Sequence, residues 1–137
     1  MAIQKRFKTL IFILLIITSF YFLWVMGLKE ILHNYWTRSV QISDLAITKE
    51  MHLKKFDAQN TVYGLELEIS GSSNRNITLL FGPDKGKYQQ EVLLKKGIIN
   101  YDFSSEWNDQ DCFIYLDPSS GAKANLKINY RFYGSTK

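Results

Sequence analysis

Apolar positions recur in two different ways along the chain. Residues 9–28 form an unbroken apolar stretch that contains no charged side chain. From about residue 39 onward, short segments alternate apolar and polar residues with the period of two that indicates half-buried β-strands. The first part therefore predicts a helix, and the second predicts a domain built of strands.

The apolar stretch is long enough to cross a bilayer as a helix. It comprises 20 residues, and a rise of about 1.5 Å per residue gives ~30 Å, the thickness of a hydrocarbon core. Thr18, one of its few polar residues, can bond to carbonyls of its own helix. Aromatic rings suit the lipid–water boundary, and they follow toward the C-terminal side: Tyr21, Trp24, Tyr35 and Trp36. The stretch predicts a transmembrane helix in contact with membrane lipid.

A cleaved signal peptide is the alternative interpretation of this stretch. Val25 and Gly27 are small enough to precede a cut after Gly27, but Trp24 and Met26 crowd that position. The run also exceeds the roughly 7–15 apolar residues of a signal peptide. We expect an uncleaved anchor, and the sequence leaves cleavage open. A lipoprotein anchor is excluded because no cysteine directly follows the run.

Flanking charge predicts the orientation. Lys5, Arg6 and Lys8 precede the stretch, whereas Lys29 and Arg38 follow it. The slight excess on the N-terminal side places the N-terminus in the cytoplasm and the C-terminal domain in the periplasm or outside the cell. The expected parts are a basic tail at 1–8, the membrane span at 9–28, a helical stalk at 29–38 and the strand domain at 39–137.

The predicted stalk continues the helical pattern past the bilayer. Its apolar residues Ile31, Leu32, Tyr35 and Trp36 fall on one stripe. Such a stripe rests on lipid or on the domain, or it docks on the helices of an integral membrane partner.

The strand domain contains seven or eight short strands with turn sequences between them, every ~8–14 residues. In residues 62–69 the alternation points Tyr63, Leu65, Leu67 and Ile69 inward and the two glutamates outward. Residues 126–133 alternate as clearly. Residues 51–60 are polar and are expected to form a linker, and residues 104–111 a loop. The pattern predicts an all-β protein, an antiparallel β-sandwich after one transmembrane helix.

The order of features resembles small jelly-roll or galactose-binding-like sandwiches, with long inner strands, an aromatic loop and an alternating last strand. An immunoglobulin-like sandwich is the alternative topology, although the Cys…Trp…Cys frame of antibody domains is missing. Residues 7–11, which open the apolar helix, are similar to the start of type IV pilins. Arg6 replaces the small residue expected before the pilin cleavage point, and Ile11 replaces the usual glutamate.

Charge is distributed unevenly between the two parts. The net charge of +4 arises entirely within the first 29 residues, and the remainder carries 13 basic and 13 acidic residues. A balanced domain gives no compositional support for nucleic-acid binding, so no nucleic-acid partner is expected. The basic pairs Lys54–Lys55 and Lys95–Lys96 are typical of solvated strand ends and loops.

Candidate catalytic and metal-binding chemistry is sparse. The single cysteine, Cys112, lies in an apolar strand, where a buried inert thiol is expected and an intermolecular bridge is the alternative. His33 and His52 are the only histidines, too few for a three-histidine zinc site. We therefore expect neither an enzyme nor a cofactor. Asp109 and Asp111 are weak candidates for calcium ligands.

Aromatic residues provide the candidate binding surface. Trp107 lies among polar residues, where an indole either folds back over the core or faces outward as a platform. With Tyr101 and Tyr115 nearby, an outward ring suits sugar rings or the apolar patch of a partner.

Three function hypotheses follow. The first is a single-pass accessory subunit that presents a non-catalytic sandwich to a larger membrane assembly. The second is a membrane-tethered carbohydrate-binding module, and the third is a minor pilin-like subunit.

Overall fold

The computed structural model describes residues 2–136, and the side chains of residues 6–28 and 36–135. The chain forms two compact units, one that ends at Tyr35 and one that begins at Trp36. Helix α1 (Ala2–Trp36) contains the apolar span Arg6–Leu28, which has a mean hydropathy of 2.4 and exposes its apolar side chains. This helix has the length and composition of a membrane span, a test that a signal sequence also passes.

Two details of α1 bear on the sequence analysis. The hydroxyl Oγ1 of Thr18 donates to the carbonyl oxygen of Leu14 at 2.9 Å, which confirms the expected bond to its own helix. The predicted stalk is shorter than 29–38, because Arg38 already pairs with Tyr130 of the last strand. The side chains of Ile31, Leu32 and Tyr35 lie outside the described residues, so their stripe stays a prediction.

The second unit consists of eight strands, all paired in antiparallel fashion. The first sheet, sheet I, has the order β1-β8-β3-β6, and sheet II has the order β2-β7-β4-β5. The strand bounds are β1 (Arg38–Ile42), β2 (Lys49–Lys54), β3 (Gln59–Ser73), β4 (Ile77–Gly82), β5 (Gln90–Leu94), β6 (Gly97–Glu106), β7 (Asp111–Pro118) and β8 (Ala124–Thr136).

The strand order is that of a jelly roll. The chain passes between the sheets at every connection except the β4–β5 hairpin, which stays within sheet II. Two four-stranded sheets wound in this way form the double Greek key of jelly rolls. The structure therefore confirms the predicted antiparallel sandwich and favours the jelly-roll order over the immunoglobulin-like alternative.

The core lies between the two sheets and is built from alternate residues of each strand. The long central strands of sheet I, β3 and β8, contribute the largest share of it, and they pair along nearly their whole length. Sheet II contributes the inner faces of β4 and β7. The fully buried side chains at the centre include Leu65, Leu67, Ile69, Leu79, Phe81, Ile114, Leu116 and Ile128.

Three predictions about the strands are wrong in detail. The segment 51–60 is not simply a linker, because it contains most of β2. Tyr63 faces outward and is 58% exposed, because the register of β3 against β8 shifts on either side of Val62 and Val62 takes the inner position. The expected loop 104–111 is shorter, since β6 continues to Glu106 opposite Gly64.

Candidate functional site

The aromatic residues predicted to form one surface are not together. Trp107 is only 7% exposed, and its indole Nε1 donates to the backbone carbonyl of Asp111 at 3.1 Å. The ring therefore folds back over the core, the first of the two alternatives that the sequence left open, and does not form an exposed platform. Tyr101 lies half-buried against the core, where burial raises the pKa of its hydroxyl. Of the three, only Tyr115 lies on an outer sheet face.

The outer face of sheet II carries an aromatic surface that the sequence pattern did not predict. The rings of His52 and Phe113 stack, with centroids 4.3 Å apart and planes 11° from parallel. The rings of Tyr88 and Tyr115 form a second pair, with centroids 5.8 Å apart and an angle of 30°. We call these four residues the aromatic face. Leu93, 55% exposed, adds apolar area on the same side of the sheet.

Strand register explains why these rings meet. His52 of β2 lies opposite Phe113 of β7, and on its other side Phe113 lies opposite Gly82 of β4. Side chains on directly opposite positions of an antiparallel pair are about 4.5–5.5 Å apart at Cβ, close enough for rings to stack. Because Gly82 has no side chain, the backbone of the β4–β5 loop can lie against the sheet on that side of Phe113.

The loop between β4 and β5 supplies Tyr88. The backbone of this loop passes so close to Gly82 that a Cβ added to Gly82 would lie 2.7 Å from the carbonyl oxygen of Lys87. The amide of Gln89 donates to the carbonyl of Phe81 at 3.0 Å and fixes the returning chain. This fold-back brings the ring of Tyr88 against Tyr115.

Charged side chains border the aromatic face. Asp111 lies 2.6 Å from Nε2 of His52, and Glu50 lies 3.1 Å from Nζ of Lys85. Partial burial raises the pKa of Tyr88, and the charge of Glu50 raises it further. The phenol thus stays neutral at physiological pH, and the face combines flat apolar rings with carboxylate acceptors at its margin.

The outer face of sheet I is polar instead. The hydroxyl of Tyr133 donates to Glu66 at 2.6 Å, and Arg131 approaches both groups, at 3.5 Å from Glu66. Burial raises the pKa of Tyr133, and its hydrogen bond to Glu66 acts in the same direction. Asn129 donates to Glu68 at 2.9 Å on the same face. Polar side chains that bond to one another therefore cover this face, in contrast to the stacked rings of the aromatic face.

The weak calcium candidates do not form a ligand set. Asp109 is exposed in the β6–β7 loop, and the carboxylate of Asp111 is engaged by His52. Within the part of the chain that the structure describes, no three acidic, histidine or cysteine side chains gather as metal ligands.

The predicted membrane-boundary aromatics fall into two groups. Tyr21 and Trp24 are exposed on the apolar span, as a lipid-facing role requires. Trp36 instead packs edge-on against Phe56 of the β2–β3 loop, with ring centroids 5.1 Å apart, and the guanidinium of Arg38 lies 4.1 Å from the centre of the same Phe56 ring. Trp36 is thus part of the sandwich unit. Tyr35 lies outside the described side chains.

Comparison with known proteins finds structures that are similar at low sequence identity. No family model and no curated protein matches the sequence. Among solved structures, a Bacillus endospore appendage pilus protein is similar over 72% of this chain and 86% of its own, with 10% identity and a TM-score of 0.48. The periplasmic lysozyme inhibitor PliG of Aeromonas hydrophila is 12% identical over 71% of this chain and 86% of its own, with a TM-score of 0.45. The pre-peptidase C-terminal domain of a Bacillus anthracis collagenase is 10% identical over 69% and 87%, also at 0.45.

Proposed function

We propose that this protein is a non-catalytic accessory subunit that α1 anchors in a membrane. Its jelly roll binds a partner protein on the side of the membrane away from the cytoplasm. The aromatic face carries this proposal. Tyrosine and phenylalanine rings that stack in pairs on a rigid sheet provide large contact area at little entropic cost, the property of interface hot spots. The partner is an integral membrane protein, because an anchored domain meets such proteins at high effective concentration.

The test is recovery of the partner from native membranes in mild detergent after cross-linking of the full chain. The double variant Phe113→Ala and Tyr115→Ala removes the centre of the aromatic face. Tyr63→Ala is the matched control, because it truncates an exposed aromatic ring elsewhere. Loss of a hot spot of about 2 kcal/mol weakens an interface roughly thirtyfold.

We expect the double variant to lose a partner that wild type and Tyr63→Ala both recover. Recovery of the wild-type chain only as an isolated monomer would contradict the proposal. So would a partner that the double variant retains in full.

The anchor is tested by alkaline carbonate extraction together with mass spectrometry of the mature chain. An uncleaved anchor stays in the carbonate-washed membrane and keeps residues 1–28. A mature chain that begins at Leu28 identifies a signal peptide instead. One that begins at Phe7 supports the pilin-like hypothesis.

Carbohydrate binding is the second candidate, and the geometry of the aromatic face favours it specifically. The two ring pairs offer apolar area to sugar rings. The carboxylates of Glu50 and Asp111 each have one basic partner and keep further lone pairs that can accept from hydroxyl groups. Tyr115→Ala should then lower glycan affinity with an unchanged melting temperature. Absence of binding by the full chain across a broad glycan panel excludes this candidate.

A further inference from the structure

The end of the sandwich opposite the start of β1 collects cations that are scattered in the sequence. Three turns meet there, 74–76, 95–96 and 119–123. They carry four exposed basic side chains, which we call the basic row: Arg75, Lys95, Lys96 and Lys123. None of the four forms an ion pair with any residue that the structure describes.

Hydrogen bonds of two asparagines hold these turns side by side. Oδ1 of Asn74 accepts from the backbone amide of Lys123 at 2.7 Å. Oδ1 of Asn76 accepts from the backbone amide of Lys96 at 2.9 Å. Arg75 lies between the two asparagines in sequence, so the turn that carries it is flanked by the other two. The three turns that carry the cations therefore lie in a row across the end of the domain.

Hydrogen bonds with Ser73 and Ser119 also fix the central turn, 74–76. The buried hydroxyl of Ser73 donates to the carbonyl of Arg75 at 2.7 Å and accepts from its amide at 3.2 Å. The amide of Ser119 donates to the carbonyl of Asn76 at 3.1 Å. The backbone that presents the cations is thus preorganised, which lowers the entropic cost of binding.

Few carboxylates oppose the basic row. The fourth loop at this end, 43–48, contributes Asp44, whose amide donates to the side chain of Asn125. Asp117 lies at the end of β7, opposite Thr78 on the outer face of sheet II. The four loops of this end carry four cations and the single carboxylate of Asp44, whereas basic and acidic residues balance over the domain as a whole.

We propose that the basic row binds a linear polymer that carries phosphate groups. Arginine grips phosphate through two parallel hydrogen bonds, and lysine acts as a mobile point charge. A line of cations matches charges that repeat along a chain. The chain enters the sandwich at the opposite end, where β1 begins, so the row is remote from the point of attachment of α1.

The test measures binding of inorganic polyphosphate to the full chain, which is held in nanodiscs of zwitterionic phosphatidylcholine. The test variant replaces the basic row with glutamine: Arg75→Gln, Lys95→Gln, Lys96→Gln and Lys123→Gln. The control variant makes the same change of charge at other exposed positions: Lys54→Gln, Lys85→Gln, Lys87→Gln and Lys127→Gln. Melting temperatures of both variants confirm that they are folded.

We expect the row variant to lose at least tenfold in affinity and the control variant to stay within about threefold. If each of the four cations neutralises one phosphate, wild-type affinity falls roughly 50-fold between about 50 and 200 mM salt. Equal losses in both variants would show attraction by net charge alone and overturn the proposal. Failure of wild type to bind at about 100 mM salt would overturn it as well.

A second experiment distinguishes a linear polymer from a membrane surface as the ligand of the basic row. Phosphatidylglycerol vesicles present the same phosphate chemistry as a plane. If the chain binds these vesicles more tightly than polyphosphate and the row variant loses this binding, the assignment to a linear polymer is overturned. The double variant of the aromatic face should bind polyphosphate like wild type, so this inference and the proposed function fail separately.

Discussion

Gln59 is the most deeply buried polar residue among those described, with 2% of its surface exposed. Its side-chain Nε2 donates to the carbonyl of Phe132 in β8, and its Oε1 accepts from the amide of Phe56 at 3.0 Å. One amide group thus fastens the β2–β3 loop to the last strand. A buried polar side chain is stable only when its donors and acceptors are paired, and here both ends are satisfied by backbone groups.

Replacing Gln59 with Met tests this role. The apolar side chain keeps the volume but leaves the amide of Phe56 and the carbonyl of Phe132 without these partners, at about 1–3 kcal/mol for each buried group. We expect the free energy of unfolding to fall by about 2–4 kcal/mol in urea titrations of the full chain in detergent. Gln41→Met, on the exposed face of β1, should change it by less than about 0.5 kcal/mol. Equal midpoints for the two variants would contradict the assignment.

Individual residues were predicted best where alternation is regular. Leu65 and Leu67 are buried as expected, and Glu66 and Glu68 face outward. Tyr63 was assigned to the wrong face because a register shift between Val62 and Gly64 reverses the alternation there. Alternation does not place Trp107, because it lies in the β6–β7 loop. Its indole nitrogen donates to the carbonyl of Asp111, four residues later in the chain.

At the scale of elements, the β4–β5 connection determines whether the aromatic face exists. The backbone of the returning loop lies against Gly82, and Tyr88 follows from that close approach. The sequence contains two residues typical of turns in this loop, Pro83 and Gly86, and Gly86 has a φ of +76°. It did not indicate that the loop folds back over the sheet.

Gly82→Ala is therefore expected to disrupt this element. The added Cβ would lie 2.7 Å from the carbonyl oxygen of Lys87, so the loop must move and the Tyr88–Tyr115 pair must separate. Overpacking of this kind costs about 1–3 kcal/mol. Urea titration gives the loss of stability, and near-ultraviolet circular dichroism reports the tyrosine environment.

Gly64→Ala is the matched control for this change. Its Cβ would meet Tyr133 at 3.4 Å, an ordinary contact distance. An unchanged dichroism spectrum in Gly82→Ala, or an equally large change in Gly64→Ala, would show that the fold-back does not position Tyr88.

Edge strands were the elements hardest to predict. β2 is an edge strand that pairs with β7. Its alternation directs Met51 and Leu53 toward the core, whereas Glu50, His52 and Lys54 face outward. The alternation is present but short, and polar residues dominate it. His52 of the aromatic face was missed for the same reason, although its place between the inner residues Met51 and Leu53 was the available signal.

At the scale of the whole molecule, burial makes several weak acids harder to ionise. It raises the pKa of Cys112 from its ordinary value of 9.0 to about 12, and it raises the pKa values of Tyr88, Tyr101 and Tyr133 above 10. The folded chain therefore holds these protons more tightly than the unfolded chain does. The corresponding stability is complete below about pH 9 and is lost as pH rises toward the folded-state values.

We expect the melting temperature of the full chain to decline progressively above about pH 9. Cys112→Ala removes the group with the lowest ordinary pKa, so the decline in this variant should begin nearer pH 10. Differential scanning calorimetry between pH 7 and pH 11 measures both profiles. A melting temperature that rises above pH 9, or identical onsets in the two proteins, would contradict this expectation.

The sequence by itself determined the division into an apolar helix and a strand domain, because hydrophobic periodicity is local and each element carries its own. It also indicated the sandwich, since short alternating strands without a helix must bury their inner faces against each other. Only the tertiary structure decided the jelly-roll order, the aromatic face and the basic row. Each joins residues that are far apart in the chain, and strand register and turn-to-turn hydrogen bonds, rather than local pattern, bring them together.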